Sequence, residues 1–284
     1  MRAQPHAHPL SPRQRVAQKG HAVLRCLLER SVTTAVYTQP ILHGWIEPAF
    51  TIEFVDRVTA EMAHSHRVPV LISAFEAIRL AGECVVAADV ALVSQHTSSV
   101  AIETEGRPDT LDDVCVTLDA VSLTAEALAR ATVTPFYGIG VASWDRQANQ
   151  GPIVVLEDAA ALAQPLSERF HDLGRAWFIL SALPCPSHVL LVPRQLLAEQ
   201  REAVRSLVAV LQAARELARA RLPTLSERLA REHAVHPGRL DALLVDQAYR
   251  ITEHARAGWR ELFRRTNYDL RLPELEQLEI VSLS

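Results

Sequence analysis

Two hydroxyl-rich segments are where this sequence places side chains and backbone in a position to do chemistry together. The first is Val116-Thr117-Leu118-Asp119-Ala120-Val121-Ser122-Leu123-Thr124. It reads as the end of a strand, a short polar loop and a helix opening on hydroxyl residues. The free amides and dipole of such a helix start suit a carboxylate. Ordinary helix capping accounts for the same residues. The second is Ser94-Gln95-His96-Thr97-Ser98-Ser99-Val100, a polar stretch between two apolar runs. A crossover between two lobes explains it, and so does a plain surface loop.

Other chemistries are excluded or weakly supported. Lys19 is the only lysine, so no phosphate-loop, Schiff-base or kinase-type lysine exists beyond the N-terminal arm. No GxSxG elbow, HExxH or GxGxxG pattern occurs. His64 and His66 flank Ser65, and His233 and His236 are three apart, but neither pair has Cys or carboxylate ligands at suitable spacing. No metal and no cofactor are therefore expected. The arginines of 215–231 read as a solvated helix face. A net charge of −4 argues against nucleic acid as partner. Cys26, Cys84, Cys115 and Cys185 are scattered and read as reduced thiols acting as small hydrophobes.

The elements that must hold these segments follow from the hydrophobic pattern. At 284 residues, 49% of them apolar, the chain suits one large domain or two modest ones. Residues 1–20, rich in Pro, His, Gln and Arg, are expected to form a mobile arm rather than a secretory signal. No run approaches the roughly 20 apolar residues of a membrane span, so a cytoplasmic protein without a membrane partner is expected. A short helix is expected at 21–29 and strands at 31–37, 50–56, 68–73 and 85–93, the last interrupted by Asp89. Helices are expected around 57–66 and 74–82. Further strands fall at 99–104, 113–118 and 152–157, with a helix opening near Thr124. This alternation predicts an α/β architecture with a mainly parallel sheet. Beyond Arg194, Val204, Leu207, Val208, Leu211 and Ala218 recur at helical spacing up to Leu222-Pro223. Thr224 and Glu227 read as a capping box for the next helix, with more helix after Pro237-Gly238.

Several motifs together resemble the menaquinone-biosynthesis family of the futalosine route, which includes chorismate dehydratase. Tyr37-Thr38-Gln39-Pro40-Ile41-Leu42-His43-Gly44-Trp45 resembles its first-strand motif, in which Asn-Thr-x-Pro-Leu precedes a Gly. Ser99-Val100 and Leu118-Asp119-Ala120-Val121-Ser122-Leu123-Thr124 resemble its Ser-Val and Leu-Asp-x-x-Ser-x-Thr elements. Leu156-Glu157-Asp158-Ala159-Ala160-Ala161-Leu162 is similar to Ile-Gly-Asp-x-Ala-Leu. Asp172-Leu173-Gly174-Arg175-Ala176-Trp177, then Ser181-Ala182-Leu183-Pro184, is similar to Asp-Leu-Gly-x-x-Trp and Thr-Gly-Leu-Pro. The sequence departs where Tyr37 replaces a substrate-binding Asn, Glu157 a Gly, and Ser181-Ala182 Thr-Gly. A phenol cannot reproduce the paired donor and acceptor of a carboxamide.

The resemblance implies an α/β, two-lobed fold of the type II periplasmic-binding kind with a helical C-terminal segment. It places lobe 1 at 21–95 and 189–284 and lobe 2 at 96–188, with crossovers near 95–98 and 184–189. It implies chorismate dehydration in an interlobe cleft, with Ser99 as the catalytic hydroxyl. Tyr37, Thr38, Ser73, Ser98, Ser122, Leu123, Thr124 and Asp158 would bind a small-molecule carboxylate substrate, in a monomer or homodimer. A non-catalytic binding or sensing protein for a small carboxylate is the alternative, favoured by the loss of Asn at Tyr37. The related dihydroxynaphthoate synthase would need a cleft histidine, for which His96 and His171 are the candidates.

Overall fold

The computed structural model describes residues 24–148 and 150–284, and the expected arm at 1–20 lies outside them. The chain opens with β1 (Arg25–Glu29), α1 (Ala35–Leu42), β2 (Thr51–Val55), α2 (Ala60–His66), β3 (Val70–Ser73), α3 (Ala74–Ile78) and β4 (Cys84–Ser94). A second group follows: β5 (Val100–Thr104), β6 (Val114–Thr117), α4 (Leu123–Tyr137), β7 (Val141–Asp145), β8 (Ile153–Glu157), α5 (Ala159–Leu162), β9 (Phe170–Asp172) and α6 (Leu173–Ser181). The chain then returns through β10 (Cys185–Pro193), α7 (Arg194–Glu199), α8 (Arg201–Ala220), α9 (Leu222–His233), α10 (Pro237–Asp246), β11 (Gln247–Ala248), α11 (Glu253–Leu270) and β12 (Ile280–Val281).

Two sheets result. The larger runs β11-β4-β10-β3-β1-β2 with β12 also on β4, and the smaller runs β7-β6-β8-β5-β9. Each sheet with its helices forms one lobe, and the chain crosses between them at 95–99 and again at 182–184. β10 belongs to the larger sheet from Cys185 onward, ahead of the division expected at residue 188.

Neither sheet is mainly parallel. β10 lies antiparallel to both β3 and β4, and β5 antiparallel to both β8 and β9. A strand that returns from the other lobe enters its sheet from the opposite end, and so breaks the βαβ pattern on which the expectation rested.

The N-terminal segment also differs from expectation. Residues 25–29 are a strand rather than a helix, because Cys26-Leu27-Leu28 is buried on both faces of a sheet. Short apolar runs of this kind carry no periodicity that separates strand from helix. Residues 31–37, expected as strand for their Val and Thr content, form a turn and the start of α1. The Ser31 and Thr34 hydroxyls each accept the other residue's amide N–H (3.1 and 3.2 Å), a local alternative to a ladder. The expected capping box at Thr224 is likewise displaced: α9 starts at Leu222, with Pro223 in its first turn.

Leu27, Val70 and Ile72 face one side of the larger sheet, and Cys26, Leu28 and Leu71 the other. The first face continues without interruption into Ile102, Val116, Ile153 and Val155 of the smaller sheet, so one core joins both lobes. α11 packs on β10 of one lobe and α4 of the other. Asp89, buried in β4, accepts hydrogen bonds from Ser282 Oγ and the amides of Leu283 and Ser284, which fixes the C-terminus. Three of the cysteines are buried and Cys115 is half-buried; burial pushes the Cys84 thiol up to about 11.

Each crossing rests on a helix glycine. A Cβ on Gly174 of α6 would lie 2.6 Å from Ser98 Cβ and 2.8 Å from its amide nitrogen. A Cβ on Gly258 of α11 would overlap the Pro184 carbonyl. Gly82, by contrast, faces open space. Gly174→Ala and Gly258→Ala should each cost about 1–3 kcal/mol through overpacking, more than the ~1 kcal/mol a helix gains from Ala. Gly82→Ala should be neutral, with thermal unfolding of the three variants as the measurement.

Candidate functional site

The ends of β1 and β3 and the first half of β10 in the first lobe face the end of β8 and the start of α4 in the second. Ser122 is the N-cap of α4, accepting the Ala125 amide at 3.1 Å. Its own amide and hydroxyl point outward, as expected of a carboxylate cradle, and a carboxylate is there. Glu157 Oε2 accepts the Ser122 N–H at 2.7 Å, and Oε1 accepts the Ser122 hydroxyl at 2.6 Å. Arg57, from the first lobe, reaches the same carboxylate at 3.0 Å. Thr124 lies inside the first helical turn, where its hydroxyl accepts the Phe75 N–H at 3.0 Å across the cleft. Leu123 is buried beside it.

The neighbouring carboxylate fills a second donor set, in the other lobe. Asp158 accepts the amides of Val32 (3.0 Å) and Thr33 (2.8 Å) and the Thr33 hydroxyl (2.8 Å), in the turn before α1. Its own amide donates to the Ser99 carbonyl at 2.7 Å. Asp158 stands at φ 56°, ψ −127°, the conformation of the first central residue of a II′ turn, where glycine is usual. Holding a non-glycine residue there costs about 1–3 kcal/mol. The three bonds to its carboxylate oppose that cost.

A buried histidine completes the floor. His188 on β10 is the register partner of Ser73 on β3, which puts the two side chains next to each other. His188 Nε2 lies 3.4 Å from Glu29 Oε1, and Glu29 Oε2 accepts the Val58 amide at 3.1 Å. Among the described residues, His188 Nδ1 and Ser73 Oγ are buried with no hydrogen-bond partner. Burial disfavours the imidazolium of His188. The hydrogen bond and charge of Glu29, with the charges of Glu157 and Asp158, outweigh it and hold the pKa above the ordinary value. Glu157 is also raised: burial dominates, partly offset by Arg57, by both Ser122 hydrogen bonds and by His188.

The structure therefore brings Ser73, Ser122, Leu123, Thr124 and Asp158 to one interlobe contact, with Ser99 joined to it through its carbonyl, and sets five other sequence candidates elsewhere. Tyr37 does not end a strand. It lies on α1, fully buried, with its hydroxyl on the Ala91 carbonyl (3.0 Å) and its ring edge-on to Tyr249. Thr38 is buried in the same helix and bonds the Thr34 carbonyl at 3.4 Å. Ser98 is committed to the first crossing: its hydroxyl accepts the Gly174 amide, and its amide donates to Asp172. His96 is exposed on Asp246, and His171 bonds the Glu168 carbonyl. Glu29, Arg57, Glu157 and His188 went unread as site residues. For Glu157 there was a signal, its replacement of the family's glycine; a histidine interrupting the apolar 185–192 run was a fainter one.

His188 gives a pH signature. With its folded-state pKa raised above the unfolded value, its contribution is fully present below about pH 6.5 and lost as pH rises through the raised value. Between about pH 6 and pH 9 the wild type should lose more melting temperature than His188→Gln, measured by thermal unfolding. Parallel profiles would show that His188 carries no linked proton.

Solved structures share this architecture. Protein AF1704 from Archaeoglobus fulgidus matches over 88% of this chain and 98% of its own, with a TM-score of 0.64 at 14% identity. The periplasmic aliphatic sulphonate binding protein SsuA from Escherichia coli matches over 91% and 92%, with a TM-score of 0.61 at 14% identity. The Candida albicans CA3427 gene product, which has the generic periplasmic binding protein fold, matches over 88% and 90%, with a TM-score of 0.60 at 10% identity. At such identities the likeness concerns the fold alone. No curated protein matches the sequence. A family model for menaquinone biosynthesis matches residues 38–268, most of the chain including every cleft residue from Arg57 to His188. The chain therefore belongs to the menaquinone-biosynthesis family, built on a two-lobed periplasmic-binding fold.

Proposed function

We propose that this protein is a chorismate dehydratase-like lyase that converts chorismate to 3-[(1-carboxyvinyl)oxy]benzoate in menaquinone biosynthesis, acting in the cytoplasm. The observation that carries the reading is the α4 N-terminus, where Ser122 already holds a carboxylate through its amide and hydroxyl. Family membership supports the pathway. Loss of water from chorismate breaks the ring C–OH bond, and the ring hydrogen leaves as a proton. The hydroxyl departs as water, and the ring becomes aromatic. Aromatisation makes the elimination downhill, so the site has to orient the ring, hold both carboxylates and exclude water. The departing proton can pass to a substrate carboxylate, which asks for no strong protein base. In this reading Ser99 contacts the reacting ring, and Ser122, Leu123 and Thr124 cradle one carboxylate opposite Ser73.

Two observations favour a second reading, a non-catalytic binding protein for a small carboxylate. Glu157 fills the cradle where the family has glycine, and Tyr37 replaces an asparagine without reaching the cleft. Single-turnover consumption of chorismate, followed by ultraviolet absorbance with enzyme in excess, separates the two. The wild type is expected to consume it, and Ser122→Ala to slow it at least ten-fold, roughly the loss of one charge-assisted hydrogen bond. No consumption by wild type or by Glu157→Gly would end the dehydratase reading and leave the binding one.

A further inference from the structure

The two donor sets that face the cleft stand on opposite lobes, and consecutive carboxylates of one strand end fill both. Glu157 takes the Ser122 amide and hydroxyl in the second lobe; Asp158 takes the Val32 and Thr33 amides and the Thr33 hydroxyl in the first. We propose that the Glu157–Asp158 pair is a built-in occupant of the ligand cleft, and that the cleft admits an external dicarboxylate by exchange for this pair. The inference rests on the cleft being a carboxylate site and is independent of which reaction follows.

Three observations converge on it. The first is the chemistry of the seats. Each offers an amide and a hydroxyl to one carboxylate, and the Glu157 carboxylate is also met by Arg57, whose side chain remains 38% exposed. Arg57 is therefore free to turn to water or to an incoming anion when Glu157 leaves. The second is independent of any helix terminus. His188 Nδ1 and Ser73 Oγ are buried without partners. The two residues are register partners, and Phe75, two residues after Ser73, bonds Thr124 beside the Ser122–Glu157 pair, so they lie on the first-lobe side of the same contact. Two buried polar atoms left over beside two filled cradles are free to meet polar atoms of a ligand that takes the pair's place. The third is the backbone at Asp158, held at φ 56°. Freed of its carboxylate bonds, that residue has reason to relax, which gives the 157–158 segment somewhere to go.

A dicarboxylate fits better than a monocarboxylate for a simple reason. A single carboxylate can replace only one of the two residues, leaving the other lobe still tied to this strand end. Two carboxylates on one rigid frame replace both, and keep the charge balance with Arg57 and His188. The internal pair competes at high effective concentration, so its removal must raise apparent affinity. Glu157 is the side chain to remove, because Asp158 also anchors the turn before α1.

The test uses the full chain, isothermal titration, and the stable probes isophthalate (benzene-1,3-dicarboxylate) and benzoate. Wild type, Glu157→Gly and the exposed-site control Glu168→Gln are compared, with circular dichroism as the check on folding. Glu157→Gly should bind isophthalate at least ten-fold more tightly than wild type and the control, with benzoate changing less than three-fold. In parallel, hydrogen exchange at the Val32 and Thr33 amides should quicken in Asp158→Asn, and slow again when isophthalate is added. Equal isophthalate affinity in wild type and Glu157→Gly overturns the proposal, as does an absence of binding to both. An equal gain for benzoate overturns the dicarboxylate specificity. If Glu157→Gly fails to fold, the exchange arm decides alone: Val32 and Thr33 amides that isophthalate leaves unprotected in Asp158→Asn overturn the proposal. Isophthalate exchange without chorismate turnover would sink the dehydratase reading alone. Chorismate turnover with no gain on removing Glu157 would sink the self-occupancy alone.

Discussion

Two adjacent carboxylates at the end of one strand hold the cleft, and most of what surrounds it follows from satisfying them. A buried carboxylate without partners is costly enough that it would neutralise or leave. Glu157 and Asp158 each find an amide and a hydroxyl, and each such charge-assisted bond contributes about 1.5–3 kcal/mol. Set against the ~1–3 kcal/mol of backbone strain at Asp158, the bonds win. The Arg57 contact adds less, because its side chain is partly solvated. The consequence is a strand end tied to its own lobe at Ser122 and to the other lobe at Arg57, Val32 and Thr33.

The far side of the lobes is held by the same device. Asp172 caps α6 and gathers the Thr97 hydroxyl, the Ser98 amide and Arg239, whereas Asp246 receives the amides of Gln95, His96 and Thr97. The polar stretch between two apolar strands is thus polar because the chain there leaves one sheet for another, with its amides paired to side chains instead of a ladder. Gly174 and Gly258 allow the helices to close on the two crossings. Carboxylates at the cleft and at the crossings join the two lobes, over one continuous core.

Much of this was legible in the residues. The long buried strand around Asp89, β5, β6 and β8 of the smaller sheet and the helix starting after Ser122 follow from run length and capping chemistry, whereas β7 and β9 carry no such signal. The family motifs point to the same order of elements. What escaped depends on distance in space. The 25–29 run is as apolar as a helix core, and only its burial on both faces makes it a strand. The Val and Thr content of 31–37 suggests a strand, yet the local Ser31 and Thr34 hydrogen bonds turn the chain. Tyr37 sits in a motif whose family role is substrate contact, but α1 directs it into the core against Tyr249. Ser122 reads as a carboxylate cradle from its neighbours alone. That the carboxylate is Glu157, 35 residues on, is visible only once β8 lies beside β6. Glu29 and His188 are separated by 159 residues, and no spacing rule links them.

A family member whose seats are occupied from within stands between enzyme and binding protein. Which it is depends on whether the occupants leave. A crystal structure of the protein with isophthalate bound tests that most directly. One ligand carboxylate is expected on the Ser122 amide and hydroxyl, with the Glu157 side chain withdrawn toward solvent. Isophthalate bound at full occupancy with Glu157 still on Ser122 would contradict self-occupancy of the cleft.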